Sequence, residues 1–495
     1  MNFSLLDWII LVVYLVVTVS VGFWVRRYVE NLRTYMVAGR RVKVALGVAT
    51  IEATEIGTIT FMYFGELGYV AGFSCFFIGL LGMFAYLLVG RTGFIIAPLR
   101  RLEVMTIPEF YELRYNRRVR LIGGIVLFLG GVLNMGIFLK FDGIFLSEVL
   151  GFGEQAIASI MVLMMVIVVA YTVLGGMLSV VVTDFIQFVI LAFGMFIATI
   201  AILIKVDLVQ LSDVVMNQFG AAGVNPLANQ RFGWMFIVWV LVSNIAAAAL
   251  WQPGASKALA SESPEVAKKV FSYASLSFAG RAMIPMFWGV AALALLGPDV
   301  PQASAMPRLL GLVTPRGFLG LLVAGMLAAS MSTYSAYLLA WSSVGTRDVL
   351  ACLRTKDFSE RTTIWAIRAF AITIGVFLLV FGLLYEIPDT AYQYLFITGA
   401  MYTAGALGCV AAGIYWPKAN SVGAYTALAM GALAPLSFLL LERWRESLPG
   451  WLLFITDVNV SGLLSFVLAV TGMIVGSLLT QRLYPPTKLK EKTTA

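Results

Sequence analysis

The chain has 495 residues, 60% of them hydrophobic and 12% charged, about half the charged share of a soluble domain. That composition excludes a soluble globular protein and specifies an all-α polytopic membrane protein. The +8 net charge needs no nucleic-acid partner if its location explains it, and the absence of histidine removes the commonest general base, metal ligand and proton relay.

Apolar segments of about 18 residues or more, enough to cross a bilayer, fall at 8–25, 44–68, 73–97, 120–148, 155–175, 183–204, 232–253, 270–297, 315–345, 364–385, 390–413, 421–441 and 456–480, about 13 transmembrane helices in all. No basic stretch precedes the first apolar run, so an uncleaved first span is expected. Most of the 34 Lys and Arg residues fall in alternate loops: Arg26 to Lys43 after the first span, Arg91 to Arg120 after the third, Lys257, Lys268 and Lys269 after the seventh, and the short polar tail after Pro486. By the positive-inside rule the N-terminus lies outside and the C-terminus in the cytoplasm of a plasma (inner) membrane. The segment from Pro98 to Arg118 reads as an interfacial helix on that cytoplasmic face. Trp8, Trp251, Trp416 and Trp451, near span ends, suit interfacial belts. Cys75, Cys352 and Cys409 are dispersed and fit no metal spacing.

Two spans carry unusual polarity. In the second, VALGVATIEATEIGTITFMYFG, Glu52 and Glu55 lie one helical turn apart beside Gly57, Thr58 and Thr60. Carboxylates are expensive in an unbroken lipid-facing helix. An interruption near Ala53–Gly57 would free carbonyls able to coordinate a small cation; a polar helix–helix seam is the alternative. In the ninth, AGMLAASMSTYSAYLLAWSS, Ser330, Ser332, Thr333 and Ser335 form a hydroxyl cluster at mid-span. Such oxygens can replace water around a hard cation, and Gly325, Ala328, Ala329 and Ser332 would equally serve close helix packing. Two cations also lie within spans. Lys140, near an outer helix end with Asp142 beside it, is expected to snorkel. Arg281 lies roughly 15 Å deep at 1.5 Å per residue, which marks either a functional site or a buried structural ion pair.

With these residues in view, the chain resembles the sodium/solute symporter family, which includes bacterial sodium/proline and sodium/glucose transporters. The second span, LGGMLSVVVTDFIQ from Leu174 to Gln187 and LAASMSTYSAYLL from Leu327 to Leu339 carry the likeness, with a weaker match from Trp251 to Lys269. The resemblance implies a leucine-transporter-like fold with two inverted five-helix repeats. The first span and its loop occupy 1–43, the repeats 44–205 and 232–413, an external loop 206–231, and two further helices with the tail 414–495. The first helix of each repeat, 44–68 and 232–253, should be broken.

The same resemblance implies sodium as the coupling ion, held by carbonyls of Ala53, Ile56 and Ala329 and hydroxyls of Ser332 and Thr333. It puts Asp184 on the inward sodium route, with Ser335 as a helper at a second site. Ala336 stands where another hydroxyl would strengthen that second site, so one sodium is the expectation. Facing candidates for the solute are Glu55, Gly57, Thr60, Asn134, Asn244 and Arg281. Arg281 falls where the sugar-transporting members carry a lysine, and Glu55 replaces the aspartate of the proline transporters. A guanidinium binds carboxylate in a two-pronged geometry, so an amino acid or organic acid is the favoured solute. A neutral solute beside a mutually neutralised Arg281 and Glu55 remains open, as do proton coupling through Glu52 and Glu55 and a solute sensor on the same scaffold. No histidine, metal cluster or nucleophile–base pair suggests an enzyme.

Overall fold

The computed structural model describes residues 3–28, 30–356, 358–385 and 391–489. Among them there is no β-strand, only an isolated bridge between Val42 and Ser261. The main helices are α1 (Leu5–Val25), α2 (Val44–Glu55), α3 (Thr58–Ala71), α4 (Phe77–Thr92), α5 (Arg117–Met135), α6 (Phe138–Leu150) and α7 (Ile157–Lys205). They continue as α8 (Gly233–Leu250), α9 (Gln252–Ala260), α10 (Pro264–Leu296), α11 (Phe318–Val344), α12 (Glu360–Leu384), α13 (Ala391–Tyr415), α14 (Ser421–Leu441) and α15 (Val458–Thr480). The segment read as one interfacial helix forms two short ones, Ile96–Arg101 and Ile107–Arg114. The last residues of the polar tail lie outside the described residues.

Eleven described helices are long and apolar enough to span a membrane. The thirteen expected crossings exceed that number for two physical reasons. The second span is split, and its α3 half runs through a short helical turn into α4. The fifth and sixth spans meet at Gly176, whose φ of 56° and ψ of −160° suit only a residue without a Cβ. The two legs of α7 run antiparallel about that point. Met161 lies beside Gly382 near the end of α12, and Gly194 lies beside Leu322 near the start of α11, which is the same face of the molecule. Ser179, just past the bend, donates to the Gly22 carbonyl at the opposite end of α1 (3.0 Å).

The two predicted broken helices are both broken. In the first, Ile56 (φ −114°, ψ 94°) and Gly57 (φ −103°, ψ 169°) leave the helix between α2 and α3. In the second, Trp251 is extended (ψ 114°) between α8 and α9. Pro253 explains that site, since in a continuous helix it would delete a hydrogen bond and press on the carbonyl four residues back. The predicted limit at residue 253 is too early, because the chain continues inward as α9 to Ala260.

The broken helices are buried by close backbone contact. A Cβ on Gly68 of α3 would fall 1.9 Å from the Met286 carbonyl of α10, and one on Gly289 of α10 would fall 2.0 Å from the Gly65 carbonyl. Gly68→Ala is therefore expected to force the helices apart and to lower stability by about 1–3 kcal/mol. Gly280→Ala on the same α10, where the nearest atom is 4.0 Å away, serves as the control in thermal unfolding. Equal midpoints for the two variants would disprove the close packing.

Candidate functional site

The α2–α3 break exposes backbone oxygens. In a continuous helix the Ala53 carbonyl would accept from Gly57 N–H and the Ile56 carbonyl from Thr60 N–H. Gly57 N–H turns instead to the Thr60 hydroxyl (3.2 Å), and Thr60 N–H bonds the Gly57 carbonyl (2.9 Å). Both predicted carbonyls are thus free of their helical partners, the condition under which a main-chain oxygen can take a cation. The hydroxyl stretch of α11 packs directly on this break. Thr333 Oγ1 donates to the Thr54 carbonyl (3.2 Å), and a Cβ on Gly57 would stand 3.0 Å from that hydroxyl. Ala329, one turn earlier on α11, is buried beside them.

Ser332 Oγ donates to Asp184 Oδ1 (2.5 Å), leaving its lone pairs available. Asp184 Oδ2 accepts from Thr50 (2.5 Å) and lies 3.3 Å from Lys257 Nζ. All four side chains are buried, Asp184 and Lys257 completely. Lys257 is therefore no loop residue, as its place in the basic pattern suggested. The α8–α9 break carries it back into the protein, where the carboxylate balances it. Thr50 was missed by sequence reasoning, although it lies one turn before Ala53 on the same face of α2. Ser335 bonds the Ser332 carbonyl (3.0 Å) rather than Asp184.

Beside the break lies a cavity lined by Glu55, Thr60, Asn134, Asn244 and Arg281, with Tyr63, Tyr86, Trp251, Phe278, Tyr337 and Phe396 among its aromatic walls. Five of the six predicted solute residues line it. Gly57 does not, and serves the break itself. The amide nitrogen of Asn134 holds α5 to α13 through the Leu395 carbonyl (2.8 Å) and Thr398 (2.9 Å), and that of Asn244 bonds the Val240 carbonyl of its own helix (2.8 Å). Thr333 lines the same cavity, so one side chain touches both the break and the solute space. Trp251 is a wall residue here, 7% exposed, with Nε1 donating to Tyr337 (2.9 Å), and is no belt tryptophan. The broken helix gives a mid-protein position to a residue that a continuous span would end with.

Arg281 is the cationic group of the cavity. It is 5% exposed, stands over the Phe278 ring at 3.9 Å, and has Nη2 3.9 Å from Glu55 Oε2. That separation exceeds a hydrogen bond, and Nη1 has no hydrogen-bond partner. The other oxygen of Glu55 lies against the start of α9, where a Cβ on Gly254 would come within 2.6 Å of it. Helix N-termini favour negative charge, so Glu55 has electrostatic support apart from Arg281. Glu52, one turn away, is fully buried with neither oxygen hydrogen-bonded; the nearby Ser277 hydroxyl donates to the Ala274 carbonyl instead.

The family model for the sodium:solute symporter family matches residues 35–431. The chain belongs to that family. Among its relatives, a sodium/sialic acid symporter of Proteus mirabilis is 23% identical over 459 residues, covering 88% of this chain and 90% of the relative. A sodium/glucose cotransporter of Vibrio parahaemolyticus is 22% identical over 481 residues, covering 89% and 86%. Among solved structures, a substrate-bound, outward-open Na+-coupled sialic acid symporter superposes with a TM-score of 0.81 at 21% identity, over 99% of this chain and 100% of that one. The symporter therefore has the leucine-transporter-like fold expected of it, is a multi-pass membrane transporter rather than an enzyme, and uses sodium as its coupling ion.

Proposed function

We propose that this symporter imports a small organic acid with sodium by alternating access, binding the solute carboxylate through Arg281. The observation that carries the reading is the Arg281 guanidinium, buried in an aromatic cavity with an unpartnered Nη1 and no hydrogen bond to Glu55. A buried cation with spare donors is costly unless an anion completes it. Glu55, supported by the start of α9, is then free to face an amine or hydroxyl of the solute. Sodium occupies the break through the carbonyls of Ala53, Ile56 and Ala329 and the hydroxyls of Ser332 and Thr333. Five oxygens of this kind suit a monovalent hard ion that must also leave. Thr333 faces both the sodium position and the cavity, so each ligand favours the arrangement the other needs. Asp184 lies beyond Ser332 on the inward route, with Ser335 a helper should a second sodium bind.

The five-helix repeats run from 44 to 205 and from 232 to 413, each opening on a broken helix. The N-terminus lies outside and the C-terminus in the cytoplasm of the plasma membrane. Convergence of basic loop residues on one face supports that orientation: Arg117 bonds the Ala351 and Arg354 carbonyls, Arg120 pairs with Asp348, and Arg40 pairs with Glu103.

Arg281→Lys removes the two-pronged donor and keeps the charge. Uptake of organic acids into proteoliposomes driven by external sodium is expected to fall about tenfold or more in apparent affinity, equivalent to ~1.4 kcal/mol, while neutral solutes are unaffected. Unchanged affinity for acids would refute the carboxylate reading. The 3.9 Å approach of Arg281 to Glu55 favours a second reading, in which the two neutralise each other around a neutral solute. On that reading Arg281→Gln impairs transport and Arg281→Gln with Glu55→Gln restores it.

A further inference from the structure

We propose that Asp142 is a proton-binding site: in this conformation its side chain is the neutral acid, and its hydrogen completes a bonded chain joining α6, α11 and α3. Asp142 is 2% exposed and sits far from its sequence neighbour Lys140 in chemical terms. Lys140 turns away to the Tyr385 carbonyl (2.8 Å), while Asp142 faces inward to the hydroxyls of α11.

The hydrogens in that cluster can be counted. Four direct oxygen–oxygen contacts run through it: Tyr334 Oη to Asp142 Oδ2 (2.6 Å), Asp142 Oδ1 to Ser330 Oγ, Ser330 Oγ to Thr58 Oγ1 (2.7 Å), and Thr58 Oγ1 to the Met326 carbonyl (3.0 Å). At these separations no water fits between the partners. Each contact needs one hydrogen. Tyr334, Ser330 and Thr58 supply one each, and the Met326 carbonyl supplies none. With an ionised Asp142, three hydrogens serve four contacts and one pair of oxygens faces bare. With the neutral acid the count closes. Asp142 donates to Ser330, Ser330 to Thr58, Thr58 to Met326, and Tyr334 to the other carboxyl oxygen. Ser330 Oγ also accepts from the Thr58 N–H (3.3 Å), a backbone donor that leaves the count of hydrogens for the four oxygen–oxygen contacts unchanged.

Among the described residues no cation is paired with Asp142 to offset its ionised form. On its own helix Lys140 is spent on Tyr385, and Glu148 pairs with Arg308 of the packed helix Gln302–Val313. On α7 the charges are Asp184, held by Lys257, and Lys205 at the terminal turn. On α3 the titratable groups are Glu66, buried elsewhere on the helix, Tyr63 on the cavity wall and Tyr69, bonded to the Gly297 carbonyl. On α12 they are Glu360, Arg361 and Arg368 in its first turns, with Arg368 over the Trp365 ring, and on α11 Tyr334 and Tyr337. Among the described residues none forms an ion pair with Asp142.

The site is linked to transport through Thr58, the first residue of α3 after the break. While α3 lies on α11, Thr58 takes the Ser330 hydrogen and Asp142 keeps its proton. When α3 moves off, Ser330 can turn its hydrogen to the carboxyl oxygen, which then tolerates the loss of the proton. Proton binding and the position of α3 are thus coupled, and the coupling is reciprocal. It does not depend on which solute is carried.

Infrared spectroscopy of the lipid-reconstituted protein in choline salt, sodium-free, tests this. Wild type minus Asp142→Asn at neutral pH is expected to show a protonated-carboxyl C=O band that the variant lacks. A carboxylate band in its place overturns the proposal. Thr58→Val provides an independent arm that leaves Asp142 in place. Ser330, freed of its acceptor, donates to the carboxylate, so the band should titrate away at a proton concentration about tenfold higher or more, one pH unit. A titration midpoint that does not move in Thr58→Val overturns it as well.

Discussion

Replacing Ser332 and Thr333 together by alanine is expected to abolish the sodium-specific thermal stabilisation of the purified symporter, with its responses to potassium and choline unchanged. Both hydroxyls sit on the α11 face that packs against the break, Thr333 bonding the Thr54 carbonyl and Ser332 bonding Asp184. Without them the sodium position keeps only carbonyl oxygens. A tenfold loss of affinity is ~1.4 kcal/mol. A ligand present at 100 times its dissociation constant stabilises by about 2.7 kcal/mol, so the loss halves the sodium shift, and a hundredfold loss nearly removes it. Thr333→Ser, which keeps the oxygen, should retain most of the shift. A full sodium shift in the double alanine variant would disprove this assignment, and sodium would have to bind elsewhere on the chain.

A loss of about 3–5 kcal/mol is expected from Lys257→Met, because removing one member of a buried ion pair leaves the other uncompensated. Neither Lys257 nor Asp184 has measurable side-chain exposure, so solvent cannot screen the remaining charge. Asp184 would keep its hydrogen bonds from Thr50 and Ser332 but lose its counter-charge. Lys257→Met combined with Asp184→Asn should recover much of the stability, since the pair is then removed as a unit. Unfolding midpoints of the single and double variants in one detergent measure both effects. A single variant as stable as wild type would show that the ammonium is not what balances Asp184.

Much of the site was legible because its chemistry conflicts with its surroundings. Glu55 and Arg281 stand out in apolar spans, since burying a charge demands a reason, and the structure brings them to one cavity. The serine and threonine cluster of α11 stands out for the same reason, and it meets the α2–α3 break. Lys257 was misplaced by the same logic, and Asp142 was passed over. Lys257 follows an apolar segment and reads as a loop cation until the break at Trp251 carries it inward on α9. Asp142 was noted only as the neighbour of Lys140, which was expected to snorkel, and was given no role of its own. Two residues apart on a helix, however, side chains face different directions, and the structure sends one to Tyr385 and the other to Ser330.

By itself the sequence determined the membrane environment, the helical architecture and the interruption in the second span, while the second broken helix was expected only from the family resemblance. The first three follow from local physics: apolar length against bilayer thickness, unbonded backbone excluded from lipid, and paired carboxylates that an unbroken lipid-facing helix does not tolerate. The tertiary structure alone decided which polar groups become partners. Thr50, Asp184, Lys257 and Ser332 are distant in the chain and converge only when α2, α7, α9 and α11 pack together. Likewise Asp142, Ser330 and Thr58 form a countable hydrogen-bonded chain only because α6, α11 and α3 meet beside the break. Side-chain pairing depends on helix rotation and crossing, which are set by packing across the whole core, and no local pattern in one span encodes them.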